Sequence, residues 1–353
     1  MTQKEINDTV KWVLGLLVIA LLWSLAQRES STERRHDRAD EYLDNEQYDK
    51  ALAEFTQLIA SDSCDALAYS GRAIAHCGMG AYQTAIPDYN RALEIDPSLT
   101  PLYSGRAETY FSLGAYGRCI DDCTIYLEVF PRDHEAYVQR GLAYMYKGDP
   151  NRAIADYSRA IEIARGYALA YYNRGCAYSA IREYDHAVED FTKAIGLNPT
   201  DAEACWERGE VYARQGWLPR ALVEFTRCIE LDPNNADAYH SRGLAYCGQD
   251  RYAEAIADYS RAIEIVPDYA DAYDSRGLAY FRRGDIELGI ADFNRSIELD
   301  PNDGITYVNR GWAFCRKRDY DKAWADVQRA KELGTAVPEV FLRELRAASG
   351  REN

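Results

Sequence analysis

Nine Cys and five His are the residues of this 353-residue chain whose side chains could bind a metal or attack a substrate. No two cysteines have the C-x-x-C spacing and no two histidines the H-E-x-x-H spacing with which zinc sites are built. The chain also lacks a glycine-rich phosphate loop and a G-x-S-x-G turn around a serine nucleophile. We therefore expect a protein that is not an enzyme and needs no metal or cofactor. The cysteine spacing also predicts no disulfide framework.

The charge balance argues against nucleic acid as a partner. The chain has 41 Lys and Arg against 57 Asp and Glu, so its formal net charge is −16. A chain of this charge gains nothing from releasing the counterions of a phosphate backbone. The 28 Tyr against 9 Phe are a second unusual feature, and they need an explanation from the pattern of the sequence.

Prolines recur along the chain with a period of 34 residues. They stand at positions 97, 131, 199, 233, 267 and 301, so each gap is 34 or 68. At this period nine units follow one another without insertion, at 32–65, 66–99, 100–133, 134–167, 168–201, 202–235, 236–269, 270–303 and 304–337. In each unit, apolar or small residues recur at spacings of three and four in two blocks, with a turn signal near position 15. Each unit is therefore predicted to be a helical hairpin, and the fold to be all-α.

These units resemble the tetratricopeptide repeat, in its variant with Arg-Gly in the first helix. Position 8 is Gly or Ala in all nine units, position 4 is Tyr in seven, and position 20 is Ala in seven, with Cys119 and Gly289 as exceptions. Small residues let two helices approach closely while a ring of the facing helix fills the space beside them. The resemblance covers residues 32–337 and implies a right-handed superhelical α-solenoid of helix-turn-helix repeats.

Two units depart from the family pattern. Arg165 and Gly166 stand where the family has the proline that ends a repeat. Pro87 lies inside a predicted second helix, where it removes a backbone hydrogen bond and bends the helix. We expect the superhelix to deviate at both places.

The last residues, 338–353, are predicted to form a capping helix and a tail. A terminal repeat needs such a cap because its outer face would otherwise leave apolar surface in water. Val340, Phe341 and Leu345 are the side chains expected to cover the ninth unit.

Charged residues recur in a fixed register. Position 7 is Arg in every unit and position 23 is Asp or Glu in every unit. In an antiparallel hairpin that turns near position 15 the two positions lie at the same height, which predicts nine pairs such as Arg242 with Asp258, within the hairpin or onto the next unit. Arg suits this role because its planar guanidinium can form two parallel hydrogen bonds with a carboxylate. A row of arginines that binds a polyanion is the alternative, which the matched acids disfavour.

The resemblance implies that positions 2, 5, 9, 12 and 13 of each first helix line a concave groove that binds partners. The residues predicted to line this groove are Val138, Leu142, Met145, Tyr146, Tyr172, Trp206, Glu210, Arg214, His240, Leu244, Asp274, Leu278, Phe281, Arg282, Val308 and Trp312. Further charged residues around them are Glu108, Glu203, Asp237, Asp271 and Arg316. Aromatic side chains offer a large contact area, which suits a peptide or an amphipathic helix. Each of them has the alternative of packing against a neighbouring repeat.

The N-terminal segment, residues 1–31, contains a predicted membrane anchor at 10–26. Residues 12–26 carry no charge, although they are shorter than the ~20 residues that an upright spanning helix needs. The stretch has three interpretations: a retained signal anchor, a signal peptide cleaved after Ala26, or a buried helix of the repeat array. Two Lys precede it and four Arg follow soon after. This bias favours a single-pass protein with cytoplasmic repeats over a periplasmic or secreted one.

The combined features predict a membrane-tethered scaffold or adaptor that binds a protein or peptide segment in its groove and aids the assembly of a complex. Self-association into a coat or oligomer is one alternative, and an exported repeat protein with a cleaved signal peptide is another. An enzyme is not expected, because repeats this regular leave no insertion in which an active site could be built.

Overall fold

The computed structural model describes residues 32–351, and this part of the chain consists of helices and turns without any β-strand. This part of the chain divides into two compact units, the first ending at Arg165 and the second beginning at Gly166. The division falls between the two residues that replace the expected proline.

The helices follow the 34-residue period. In the first unit they are α1 (32–44), α2 (Tyr48–Ser61), α3 (Ala66–Gly78), α4 (Tyr82–Ile95), α5 (Pro101–Ser112), α6 (Tyr116–Val129), α7 (His134–Tyr146) and α8 (Pro150–Ile163). In the second unit they are α9 (Ala168–Ala180), α10 (Tyr184–Leu197), α11 (Ala202–Arg214), α12 (Leu218–Leu231), α13 (Ala236–Cys247), α14 (Tyr252–Ile265), α15 (Ala270–Arg283), α16 (Ile286–Leu299), α17 (Gly304–Arg316), α18 (Tyr320–Glu332) and α19 (Glu339–Ser349). From α3 to α18, each odd-numbered helix packs against the even-numbered helix that follows it, so each repeat is a hairpin.

Each hairpin turns at position 15 of its repeat, where the backbone has a positive φ. Gly occupies this position in five repeats, for example Gly148 with φ 80°. In the other four repeats this position has a φ between 56° and 64° and is occupied by Glu46, Arg182, Asp250 and Arg318. Gly reaches this left-handed conformation without strain, whereas other L-residues are strained there. The short turn places the two helices of a repeat side by side.

The core of each repeat is a small residue on the first helix facing a ring on the second. A Cβ atom added to Gly243 would lie 2.6 Å from the ring of Tyr259, and one added to Gly209 would lie 2.6 Å from the ring of Phe225. Both rings are fully buried. This close approach confirms the predicted role of the small residues at position 8.

Helix α4 continues through Pro87 and has fourteen residues, as do α2 and α6. The proline therefore does not end the helix, and the deviation of the superhelix that we expect at Pro87 stays a prediction.

Helix α19 covers the end of the ninth repeat. Phe341 and Leu345 are fully buried, and the ring of Phe341 stacks on Trp312 with 4.5 Å between ring centroids. Val340 is 52% exposed, so it does not take the covering role expected of it. Leu342, which is buried, takes that place because it lies on the same side of the helix as Phe341 and Leu345.

Across the described residues, no helix has both the length and the apolar character that crossing a membrane requires. The predicted anchor at 10–26 lies outside the described residues.

Candidate functional site

The surface that could bind a partner is formed by the first helices of successive repeats, here called the first-helix face. In the second unit it consists of α9, α11, α13, α15 and α17, each of which contacts the next. In the first unit, α3 contacts α5 and α5 contacts α7. The predicted groove residues of both units lie on these helices.

Position 5 of one repeat is tied to position 6 of the next repeat in the second unit. Trp206 Nε1 donates a hydrogen bond to Ser241 Oγ at 3.2 Å, and His240 Nε2 lies 3.0 Å from Ser275 Oγ. The carboxylate of Asp274 accepts hydrogen bonds of 3.1 Å from Asn309 Nδ2. These bonds join neighbouring first helices, so Trp206, His240 and Asp274 hold successive repeats of the second unit together.

Several predicted groove residues are open to a partner. Tyr146 is 63% exposed and Leu244 is 48% exposed, and Arg214 and Arg282 are also exposed. The predicted residues with half-buried side chains are Leu142, Met145, Tyr172, Trp206, Glu210, His240, Asp274, Leu278, Phe281 and Trp312. The half-buried side chains still present part of their surface to solvent.

Two predicted contacts need correction. Val138 is only 3% exposed and Val308 only 7% exposed, so neither side chain can touch a partner in this structure. Position 5 faces the neighbouring first helix, and a short branched side chain there does not extend past it to the surface. Val308 also belongs to the apolar cluster around Phe341, whose ring stacks on Trp312 and so leaves Trp312 less surface for a partner.

An aromatic cluster marks the first-helix face of the first unit. The rings of Tyr116 and Tyr146 are stacked with 5.0 Å between centroids, and Phe111 meets each of them edge-on at 5.4 Å. Tyr146 thus packs against the preceding repeat with one side of its ring and remains accessible with the other. The packing interpretation of this aromatic residue is therefore confirmed, and its contact with a partner stays a prediction.

The first-helix face of the second unit carries many carboxylates. Burial raises the pKa of Asp274 to about 6, and the nearby charges of Asp303 and Asp271 act in the same direction. Burial also raises the pKa of Glu203 and Glu207. Partial burial and neighbouring like charges both disfavour the ionised form of these carboxylates, so a cation placed beside them would favour that form.

The nine arginines at position 7 are occupied by the acids at position 23. Every predicted pair forms within its own hairpin, and seven of the nine have two parallel hydrogen bonds from the guanidinium to an Asp. The paired Asp258 and Asp292, for example, are 6% and 8% exposed. This geometry confirms the structural interpretation, because every guanidinium of the row is already paired with a carboxylate.

The described residues contain no group of three or more His, Cys, Asp and Glu that could hold a metal ion. Cys247 and Cys315 lie half-buried on first helices, and burial raises the pKa of both thiols, which makes them less reactive. Cys64 is the one described cysteine that is exposed.

Sequence reasoning missed a cavity on the first-helix face of the first unit, between α3 and α5. The signal that could have revealed it is the small size of Gly78 and Ser112 at position 13, where the fourth repeat has Tyr146.

Comparison with known proteins agrees with this architecture. Family models described as tetratricopeptide repeat or TPR repeat match residues 36–99, 134–167, 168–201, 202–235, 224–257, 245–284, 270–303 and 293–325. None of the curated proteins matches the chain.

Solved structures with the same kind of fold include a tetratricopeptide repeat protein from Parabacteroides merdae. It is 18% identical, with a TM-score of 0.55, and the match covers 71% of this chain and 98% of that one. A chain of the APC/C hetero-tetramer Cut9-Hcn1 is 14% identical with a TM-score of 0.54, covering 85% of this chain and 59% of that one. The MamA protein is 29% identical over 49% of this chain and 94% of its own, with a TM-score of 0.45. The family matches fall on eight of the nine hairpins, and the chain belongs to the tetratricopeptide repeat family.

Proposed function

We propose that the chain is a scaffold that binds a segment of a protein partner on the first-helix face of its second unit. The observation that carries this proposal is an apolar strip across three successive first helices. Leu244 on α13 is 48% exposed, and Leu278 and Phe281 on α15 and Trp312 on α17 are half-buried. Exposed apolar surface of this kind, bordered by charges, is typical of protein interaction sites.

Charges of opposite sign border the strip. Glu203, Asp237 and Asp271 are exposed at position 2, near the start of their helices. Arg214, Arg282 and Arg316 are exposed at position 13, near the end of theirs. The two rows are eleven residues apart along the helices, which corresponds to roughly 16 Å. A bound segment that crosses the helices therefore meets one acidic and one basic edge, which would fix its orientation.

The face is held in place before a partner arrives. The hydrogen bonds between positions 5 and 6 join neighbouring first helices. The arginines at position 7 join each first helix to its second helix and, in six repeats, also to the second helix of the preceding repeat. A surface that is already ordered loses little conformational entropy on binding, so more of the contact energy appears as affinity.

Peptide binding would test this proposal. The full chain, purified in mild detergent, would be used to select binders from a random peptide library displayed on phage. We expect the selected peptides to bind Leu244→Asp about tenfold or more weakly, because the variant places an unpaired charge in the apolar strip. Leu288→Asp is the matched control, since Leu288 is 50% exposed in the same unit but lies on the second helix α16. Equal loss of peptide affinity in both variants, or no loss in either, would contradict the proposal that partners bind on this face.

Self-association is the alternative that the same preparation can test. A sedimentation coefficient that stays constant as the concentration rises is expected of a scaffold for other proteins. Growth of the particle with concentration would favour a coat or an oligomer.

We also propose that residues 10–26 are retained and tether the repeats to the cytoplasmic side of a membrane. The support is the uncharged stretch and the excess of Arg after it. A membrane-impermeant maleimide would label the exposed Cys64 in lysed cells but not in intact cells if the repeats are cytoplasmic. Labelling of intact cells would place the repeats outside, and loss of mass up to Ala26 would show a cleaved signal peptide.

A further inference from the structure

A cavity of about 400 Å³ opens on the first-helix face of the first unit. Its walls come from the first three repeats and include Tyr48, Ile74, Tyr82, Glu108 and Ser112. This volume lies at the small end of the range for ligand pockets, which suits a single large side chain rather than a whole cofactor.

The cavity exists because two small residues leave two rings uncovered. In the fourth repeat, Tyr146 at position 13 stacks on Tyr116 at position 17 of the preceding repeat. In the second and third repeats position 13 is Gly78 and Ser112. A Cβ atom on Gly78 would overlap the ring of Tyr48. Without a side chain that stacks on them, the rings of Tyr48 and Tyr82 form walls of the open cavity.

The floor of the cavity is polar but neutral. Cys77 Sγ lies 3.2 Å from Thr109 Oγ1 and 3.9 Å from the hydroxyl of Tyr89. Thr109 also donates a hydrogen bond of 2.8 Å to the carbonyl oxygen of Gly105. Burial raises the pKa of Tyr89, so its hydroxyl stays protonated. These groups satisfy one another and carry no charge that could repel or attract an ion.

Glu108 is the single charged residue among those that line the cavity. Its side chain is exposed, and within residues 32–351 it forms no ion pair with a Lys or Arg. A carboxylate beside two aromatic rings is a suitable environment for a cation, because the rings attract positive charge to their faces. The arginines of this chain show the same preference: the guanidinium of Arg106 lies 5.2 Å from the ring centroid of Tyr103.

We propose that this cavity, the basic-residue pocket, receives a Lys or Arg side chain of a protein segment that binds on the first-helix face of the first unit. Its aliphatic stem would lie against Ile74, and its charged group would meet Glu108 and the rings of Tyr48 and Tyr82. An apolar side chain would fill the volume but leave the carboxylate of Glu108 unpaired and partly desolvated, which is unfavourable. The inference rests on the proposed scaffold function, extends it to the first unit, and names the chemical class of one partner residue.

Closing the pocket and reversing its charge test the inference separately. Ser112→Tyr is expected to close it by stacking on Tyr82, as Tyr146 stacks on Tyr116. Glu108→Lys reverses the charge of an exposed residue and is expected to keep the fold. Glu128→Lys is the matched control, because Glu128 is exposed in the same repeat but lies on α6, outside the pocket. Phage-displayed random peptides would be selected on the full chain and then sorted by whether they still bind Ser112→Tyr.

We expect the peptides that lose binding to Ser112→Tyr to share a Lys or Arg at one fixed position. They should bind Glu108→Lys about tenfold or more weakly and Glu128→Lys with unchanged affinity. Added salt should weaken the binding of these peptides more than the binding of peptides that do not depend on the pocket, because salt screens an exposed ion pair.

The inference is overturned if peptides that need the pocket carry no shared basic residue, or if Glu108→Lys binds them as well as the parent does. It is also overturned if no selected peptide depends on the pocket while some peptides lose binding to Leu244→Asp. In that case the proposed function stands. If no peptide is selected at all, the proposed function fails and the pocket fails with it.

Discussion

Arg242 donates two parallel hydrogen bonds to Asp258, from Nε to Oδ2 and from Nη2 to Oδ1, each 2.8 Å long. Its Nη1 donates a third, of 3.1 Å, to Thr226 Oγ1 of the preceding repeat. One guanidinium therefore connects α13 with α14 and with α12. Five other arginines at position 7 also donate to the second helix of the preceding repeat, so one side chain joins three helices at each of these places.

Replacing Arg242 by Ala should destabilise the seventh repeat by about 3 kcal/mol, because Asp258 would remain buried without its cation. Urea unfolding, with hydrogen exchange to locate the loss, would measure the effect. Arg261→Ala is the control: this arginine pairs with Glu264 at the surface, and its loss should not be measurable. Peptide binding should survive in both variants. Equal stability of Arg242→Ala and the parent would contradict the structural role of the arginine row.

The same substitution at two glycines should have opposite effects. Gly243→Ala places a methyl group 2.6 Å from the ring of Tyr259 and should cost about 1–2 kcal/mol, even after the better helix propensity of Ala is counted. Gly196→Ala meets no atom within 4 Å and lies inside α10, so it should stabilise the chain by about 0.5–1 kcal/mol. Urea unfolding compares the two variants, and a gain at both positions would show that the core is not tightly packed.

Loss of the ring at Phe341 should weaken the C-terminal end of the array. The side chain is fully buried and stacks on Trp312, so Phe341→Ala should cost about 3 kcal/mol and speed hydrogen exchange in α17 and α18. Val340→Ala, at an exposed position of the same helix, should leave both quantities unchanged. Identical exchange in the two variants would mean that α19 does not act as a cap.

Stability should depend on pH through Asp274. Its folded pKa of about 6 lies above the ordinary value of 3.8, so between these values the folded chain holds a proton that the unfolded chain has lost. The group therefore stabilises the fold fully below about pH 4 and loses that contribution as the pH rises through 6.

The variant Asp274→Asn does not titrate, and its amide oxygen can still accept from Asn309. The stability of this variant relative to the parent should therefore rise between pH 4 and pH 7, by at most about 3 kcal/mol. Thermal unfolding of both proteins across this pH range measures the difference in their stability. The contributions of the other titrating groups are the same in both proteins and cancel in this difference. A relative stability that is constant, or larger at pH 4, would contradict the raised pKa.

The hairpins and the arginine row could be predicted from the sequence because both depend on register alone. A strict period of 34 places Arg242 and Asp258 sixteen residues apart in their repeat, and a hairpin that turns between them brings them together. The small residues at position 8 are equally informative, since only the facing ring can fill the space that they leave.

The roles of individual tyrosines were harder to predict. Seven tyrosines at position 4 lie beside the arginine three residues later, as Tyr239 does with 5.6 Å from its ring centroid to the guanidinium of Arg242. The sequence pattern assigns these rings only the role of filling space beside small residues, and that role does not include a cation–π contact. This contact depends on how the two side chains are placed relative to each other along the helix. The pattern of residue types alone does not show that placement.

The exposure of an individual groove residue depends on which side chain of the next repeat packs against it. Trp206 is held by Ser241, whereas Leu244 at position 9 has no such partner side chain and stays 48% exposed. Trp312 is stacked by Phe341 from outside the repeats. The basic-residue pocket escaped prediction for a related reason, because it results from side chains that Gly78 and Ser112 lack.

Crosslinking in cells that express the chain tests the central claim most directly. A photoreactive phenylalanine analogue placed at Leu244, on the first-helix face, would be compared with one at Val223, which is 65% exposed on the second helix α12. We predict a discrete protein adduct from position 244 and none from position 223. An adduct from position 223 with none from position 244 would contradict the claim that this protein binds its partner through its first helices.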